Sequence, residues 1–144
     1  MKKLILIILA FVFLFSCEQV LLPISDNSAP KSFSFGDTIS IAYHQIVFNQ
    51  SEDVSIRFKD LVADSRCPIG LLCFWAGDAD VEFTLKNSGS RIDFNLHTYW
   101  DRQRDTVLAD YYIKIIDVKP YPQMDYEYRA EQYEAYIIVN KIRG

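Results

Sequence analysis

From Ala79 onward the chain alternates apolar with polar residues: Ala79, Val81, Phe83 and Leu85 against Asp80, Glu82, Thr84 and Lys86. After Asn87-Ser88-Gly89-Ser90 the pattern resumes, with Ile92, Phe94 and Leu96 against Arg91, Asp93 and Asn95. A period of two places successive side chains on opposite faces of a strand, and Asn, Ser and Gly between two such runs make a turn. A four-residue turn pairs Lys86 with Arg91 and Leu85 with Ile92. Continuing that register sets Phe83 opposite Phe94 and Val81 opposite Leu96, so every apolar side chain falls on one face.

The rest of the chain repeats this logic in shorter pieces. Thr38 to Tyr43 alternates, and Gln45 to Phe48 either extends that strand or pairs with it. Val54, Ile56 and Phe58 alternate with Ser55, Arg57 and Lys59, and a longer arm continues through Leu61 and Val62. Residues 97–105 are polar and charged around Tyr99 and Trp100 and read as a loop. Tyr111 to Val118 is a nearly continuous apolar strand stopped by Pro120 and Pro122. Gln123 to Glu131 reads as a loop or a short helical turn, and Tyr133 to Ile142 as a final strand. Seven or eight short strands without a long helix predict an all-β fold, a single antiparallel, immunoglobulin-like β-sandwich. The alternative is a small closed barrel.

With 144 residues, 50% hydrophobic and 24% charged, the chain suits one globular domain, placed at residues 32–144. Removing a segment that carries Lys2 and Lys3 takes the formal charge from −4 to −6. A nucleic-acid partner needs a basic face to neutralise phosphates, so that class is excluded.

Lys2 and Lys3 precede an apolar run from Leu4 to Phe15, then Ser16 and Cys17. A basic start, a short apolar stretch and a small residue make a secretory signal over residues 1–16, and the run is shorter than the roughly 20 residues that span a bilayer. Leu14-Phe15-Ser16-Cys17 resembles the bacterial lipobox. That resemblance implies cleavage before Cys17 and acylation of Cys17, palmitate among the acyl chains, with several chains anchoring the protein to a membrane. An ordinary signal peptide or an uncleaved N-terminal anchor is the alternative. Residues 17–31, with Pro23, Pro30 and Ser-Asp-Asn-Ser, read as a tether whose end-to-end distance is roughly 20 Å for about 14 flexible residues. Val20, Leu21 and Leu22 equally suit the headgroup layer or an edge strand.

Between the arm and the hairpin lies Asp64-Ser65-Arg66-Cys67-Pro68-Ile69-Gly70-Leu71-Leu72-Cys73-Phe74-Trp75-Ala76-Gly77. With Cys17 acylated, Cys67 and Cys73 remain as an even pair in an oxidising envelope, which predicts a disulfide. Closing so short a loop contributes only about 2 kcal/mol through chain entropy, so its role is to fix local shape. Pro68 and Gly70 suit a tight turn, and the Trp75 ring lies over the sulfurs or the sheet edge. Asp64 reads as a turn acceptor and Arg66 as a charge pinning the loop to a strand end. A redox or metal role for the cysteines is the competing reading, without the two-residue spacing or neighbouring histidine it needs. This motif resembles the signature of a group of small, uncharacterised bacterial envelope lipoproteins. The resemblance implies envelope location and this strand pattern, and brings no activity with it.

Enzyme motifs are missing. His44 and His97 stand outside any zinc-protease helix pattern, and neither a nucleophile elbow nor a phosphate-cradling glycine loop occurs. The expected protein is therefore non-catalytic and without a cofactor. Two site hypotheses remain. The hairpin register places His97 opposite Asp80 and Asn95 opposite Glu82, with Asp78 opposite Tyr99, so Asp80, Glu82 and His97 are weak candidates for a divalent cation or a metal-dependent activity; a solvated strand face is the simpler reading. The favoured hypothesis is a recognition surface. Tyr99, Trp100 and Arg102 in one loop, and Tyr121, Tyr126 and Tyr128 in another, offer rings to an envelope protein or glycan, unless the rings cap the core.

Overall fold

The computed structural model describes residues 31–142. The signal, Cys17 and the tether before Lys31 lie outside the described residues. Nine strands follow in order: β1 (Lys31–Phe33), β2 (Thr38–Ala42), β3 (Ile46–Asn49), β4 (Val54–Asp64), β5 (Ala79–Asn87), β6 (Ser90–His97), β7 (Asp105–Leu108), β8 (Tyr111–Lys119) and β9 (Glu134–Lys141), with a 3-10 turn at Ala130–Gln132 before β9. They form two open sheets, β1-β3-β4-β5-β6 and β2-β9-β8-β7, so the sandwich is realised and the barrel is not. The strand order is not that of an immunoglobulin domain, whose sheets mix strands distant in sequence; here each sheet is mostly a meander. The pairing also departs from wholly antiparallel, because β1 runs parallel to β3.

The 79–97 hairpin has the expected register: Lys86 faces Arg91, Leu85 Ile92, Phe83 Phe94 and Val81 Leu96. The turn is tighter than the four residues expected, since Asn87 itself pairs with Ser90. Ser88 and Gly89 make the turn at φ 45° and 84°, the twist that suits a two-residue hairpin. Val81, Phe83 and Leu85 are buried against Ile56 and Phe58 of β4 on one side and the opposite sheet on the other. Ile113, Ile115, Val118, Ala135, Ile137 and Val139 supply that opposite face, all fully buried. A bulge between Ile115 and Asp117 breaks the alternation of β8, which turns Ile116 outward and returns Val118 to the core.

Three further expectations needed correction. Gln45 to Phe48 neither extends nor pairs with the strand at Thr38: β2 joins β9 and β3 joins β4. His44, at φ 63°, turns the chain from one sheet to the other, and no local pattern encodes that choice. The loop thought to run over 97–105 is only 98–104, because His97 closes β6 and Asp105 opens β7. Lys31, assigned to the tether, is the first residue of β1. As expected of the arm through Leu61 and Val62, β4 runs on to Asp64, with bulges between Phe58 and Asp60 and between Leu61 and Ala63, and leads into the cysteine loop beside β5.

The topology sorts the connections by end. One end has the turns 34–37, 50–53, 88–89 and 109–110; the other has 43–45, 65–78, 98–104 and 120–133. Every connection longer than four residues is thus at one end. Among the described residues no helix is long and apolar enough to cross a membrane.

Candidate binding surface at the long-loop end

The cysteine loop is built on Arg66. Its guanidinium is buried, yet it makes four hydrogen bonds. Nε and Nη2 donate to the two oxygens of Asp64 at 2.8 and 2.7 Å, Nη2 also to Pro120 O at 3.0 Å, and Nη1 to Val118 O. The Asp64 carboxylate further accepts the Arg66 backbone N–H at 3.2 Å. The Tyr121 ring lies 4.5 Å over the guanidinium. Asp64 ends β4 in one sheet, whereas Val118 is near the end of β8 in the other and Pro120 directly follows it, so one side chain fastens the two sheets at their open end. The planar fork of arginine suits this bidentate geometry and lysine does not. Burial, followed by the negative Asp64 carboxylate, pushes the Tyr133 hydroxyl above its ordinary value.

The remaining motif residues close the base of the loop. Ser65 N–H donates to Asp78 O at 2.7 Å and Asp78 N–H to Ser65 Oγ at 3.1 Å. Trp75 Nε1 donates to Ser65 O at 3.0 Å, so the indole is tied to the loop stem. Gly77 has φ +71°, and a Cβ there would stand 2.5 Å from Arg66 Cα and 2.6 Å from Ser65 O; only glycine allows this approach. Cys67 and Cys73 are joined in a disulfide with Cα atoms 5.8 Å apart. Ile69 N–H donates to Pro122 O at 2.9 Å, tying the loop to its neighbour. Each of these motif residues therefore has a structural task, and Asp64 and Arg66 act as turn acceptor and pin.

The fixed stem presents an exposed tip. Leu72 and Phe74 are completely exposed, at 101% and 105%, with Leu71 and Trp75 partly so. Next to it, Trp100 is 73% exposed and its ring centroid is 5.5 Å from that of Tyr99. Tyr99 is held from below, its backbone N–H donating to Asp78 Oδ1 at 2.9 Å. A recess of about 340 Å³ opens between the loops, lined by Arg66, Ala76, Gly77, Thr98, Tyr99, Trp100, Arg104, Ile116, Asp117 and Tyr121. The buried Nε of Arg104, on its wall, has no hydrogen-bond partner. Arg102 stands outside the recess, its Nε 3.8 Å from Asp78 Oδ2. The tyrosines divide between display and capping: Tyr128 packs on the core against buried Tyr133, whereas Tyr121 and Tyr126 are exposed.

On the hairpin face Asp80, Glu82 and His97 do not converge. His97 Nδ1 is 2.7 Å from Asp78 Oδ2, while its Nε2 is 4.0 Å from Asp80. Asn95 Nδ2 donates to Asp80 at 2.8 Å, and Lys59 pairs with Glu82 at 2.7 Å and Asp93 at 3.0 Å. The Thr84 hydroxyl, donating to Asp93 at 2.6 Å, and then Lys59 hold that carboxyl down at about 2. Among the described residues no three His, Cys, Asp or Glu side chains are grouped to hold a metal ion.

Sequence reasoning located Tyr99, Trp100 and Arg102 but did not single out Leu71, Leu72 and Phe74. For Leu71 and Leu72 the signal was present: five residues between bridged cysteines cannot fold back on their own side chains, so apolar residues there are displayed; Phe74 follows Cys73 and lacked that signal. No protein-family model, curated protein or solved structure matches this chain.

Proposed function

We propose that this chain is an envelope lipoprotein, anchored to a membrane through acylated Cys17, whose sandwich is a non-catalytic binding or envelope-structural module working through its long-loop end. The carrying observation is the distribution of apolar surface. Of the fourteen large hydrophobic side chains exposed among the described residues, nine are in the loops at that end: Ile69, Leu71, Leu72, Phe74, Trp75, Trp100, Tyr121, Met124 and Tyr126. None is in the four turns at the other end. Patches of this kind mark interaction sites. Tyr99 and Trp100 line the recess where an envelope protein or glycan would stack, with Arg102 in the same loop, and Cys17 follows a lipobox-like Leu-Phe-Ser.

Two measurements on intact cells test this reading. Incorporation of a palmitate analogue is expected in the native chain and lost in Cys17→Ala. A photoreactive residue at Trp100 is expected to form an adduct that the same probe at Ser88, in the opposite turn, does not. Absence of acyl label, or equal adducts from both positions, contradicts the proposal.

A further inference from the structure

We propose that the tip of the disulfide loop is a membrane-docking element: Leu71, Leu72, Phe74 and Trp75 enter the interfacial layer of the bilayer that carries the anchor. This deepens the lipoprotein reading and rests on it. The loop from Cys67 to Gly77 has no charged residue, so its insertion leaves no ion to desolvate. The clasp makes the stem rigid, and the disulfide narrows the loop to a point from which Leu72 and Phe74 project entirely into solvent. Trp75 is suited to a boundary layer, with an apolar ring outward and its N–H satisfied by Ser65 O.

Chain direction and tether length favour lipid as the occupant. β1 is parallel to β3 and antiparallel to β4, so the chain enters Lys31 from the side toward which β4 runs, the long-loop end. Lys31 is level with Val47, and Val47 with Ile56. From Ile56 to Asp64 the strand advances about 26 Å at roughly 3.3 Å per residue. The interval from Cys17 to Lys31 spans up to about 46 Å when extended, enough to run back along the sheet edge and set the tip on the lipid. An acyl anchor combined with a second, protein-borne signal is how peripheral attachment becomes firm and oriented. The attraction is not electrostatic: without its signal the chain has a net charge of −6, from −4 less Lys2 and Lys3, and the neighbouring loops contain Asp101, Asp125 and Glu127. Docking therefore does not require anionic lipid and persists at high salt.

The test uses the full-length acylated chain in phosphatidylcholine vesicles with brominated acyl chains, in a Trp100→Phe background so that Trp75 alone reports. Strong quenching and a blue-shifted emission, equal at low and high salt, are expected. Leu72→Asp/Phe74→Asp should abolish both while the protein stays on the vesicles through its anchor; because the two side chains are wholly exposed, the fold is expected to survive, as an unchanged melting curve will verify. Quenching no greater in the native loop than in the double variant overturns the proposal. So does a photoreactive Phe74 that captures a protein without Trp75 quenching, which assigns the tip to a protein partner. Failure of the underlying reading is separate: the chain then has no acyl group at Cys17.

Discussion

The two ends of the sandwich solve different problems. At one end 88–89 and 109–110 reverse the chain in two residues each, with Ser88, Gly89 and Ala109 at positive φ and no large hydrophobic side chain exposed in the turns. At the other, 65–78 and 120–133 take fourteen residues each; the first displays leucine, phenylalanine and tryptophan to solvent and the second tyrosine and methionine. Loops of that length lose conformational freedom only if something orders them. Here it is a buried guanidinium, a disulfide and a glycine that accepts another strand of backbone at van der Waals distance. Structural effort is concentrated beneath the exposed tip, which is how a rigid scaffold presents a binding loop.

The largest expected effect comes from breaking the clasp. Arg66→Ala leaves Asp64 and two carbonyls without their donor, and removing one partner of a buried pair costs about 3–5 kcal/mol. Denaturant unfolding should show that loss, with Arg66→Lys recovering only part of it. A matched pair of substitutions then compares the ends directly. Gly77→Ala meets Arg66 Cα and Ser65 O, whereas Gly89→Ala meets nothing within 4 Å. Both pay for positive φ, about 1 kcal/mol, but Gly77→Ala must also displace backbone, so its midpoint should fall by clearly more. Equal midpoints would show that the close approach at Gly77 is not a constraint. Replacing both Cys67 and Cys73 by alanine should cost about 2 kcal/mol or less while abolishing Trp75 quenching by brominated lipid, a functional loss larger than the stability loss.

A smaller effect belongs to the hairpin face. Asp93, whose carboxyl is held at about 2 by the Thr84 hydroxyl and then by Lys59, favours the folded state above the unfolded carboxylate value near 4. That contribution is lost as pH falls through about 2. Thr84→Val should raise the Asp93 value, read by NMR titration, and move the acid-unfolding midpoint slightly upward. Leu72→Asp/Phe74→Asp should change stability least, within about 0.5 kcal/mol, while removing membrane contact.

The hairpin was legible because two alternating runs and a turn constrain one another: shifting either strand by one residue would put Phe83 and Phe94 on opposite faces. The partition of β2 and β3 between sheets was not, since both alternate and either register is locally acceptable. Tertiary contacts decide it, through His44 and the pairing of Ile39 with Ile137. β1, with three residues, is too short to show a period. Arg66 read as a pinning charge, but its burial was invisible, because a charged residue is expected at the surface and its partners Val118 and Pro120 are distant in sequence. The recess next to Trp100 followed from that clasp and was equally hidden.

Amide hydrogen exchange of the full-length chain, compared in the presence of membranes and in detergent, tests the division of labour most directly. Slower exchange in the membrane is expected across 69–76 and 98–102, with 88–89 and 109–110 unchanged. Protection confined to the short turns, or equal at both ends, would contradict it.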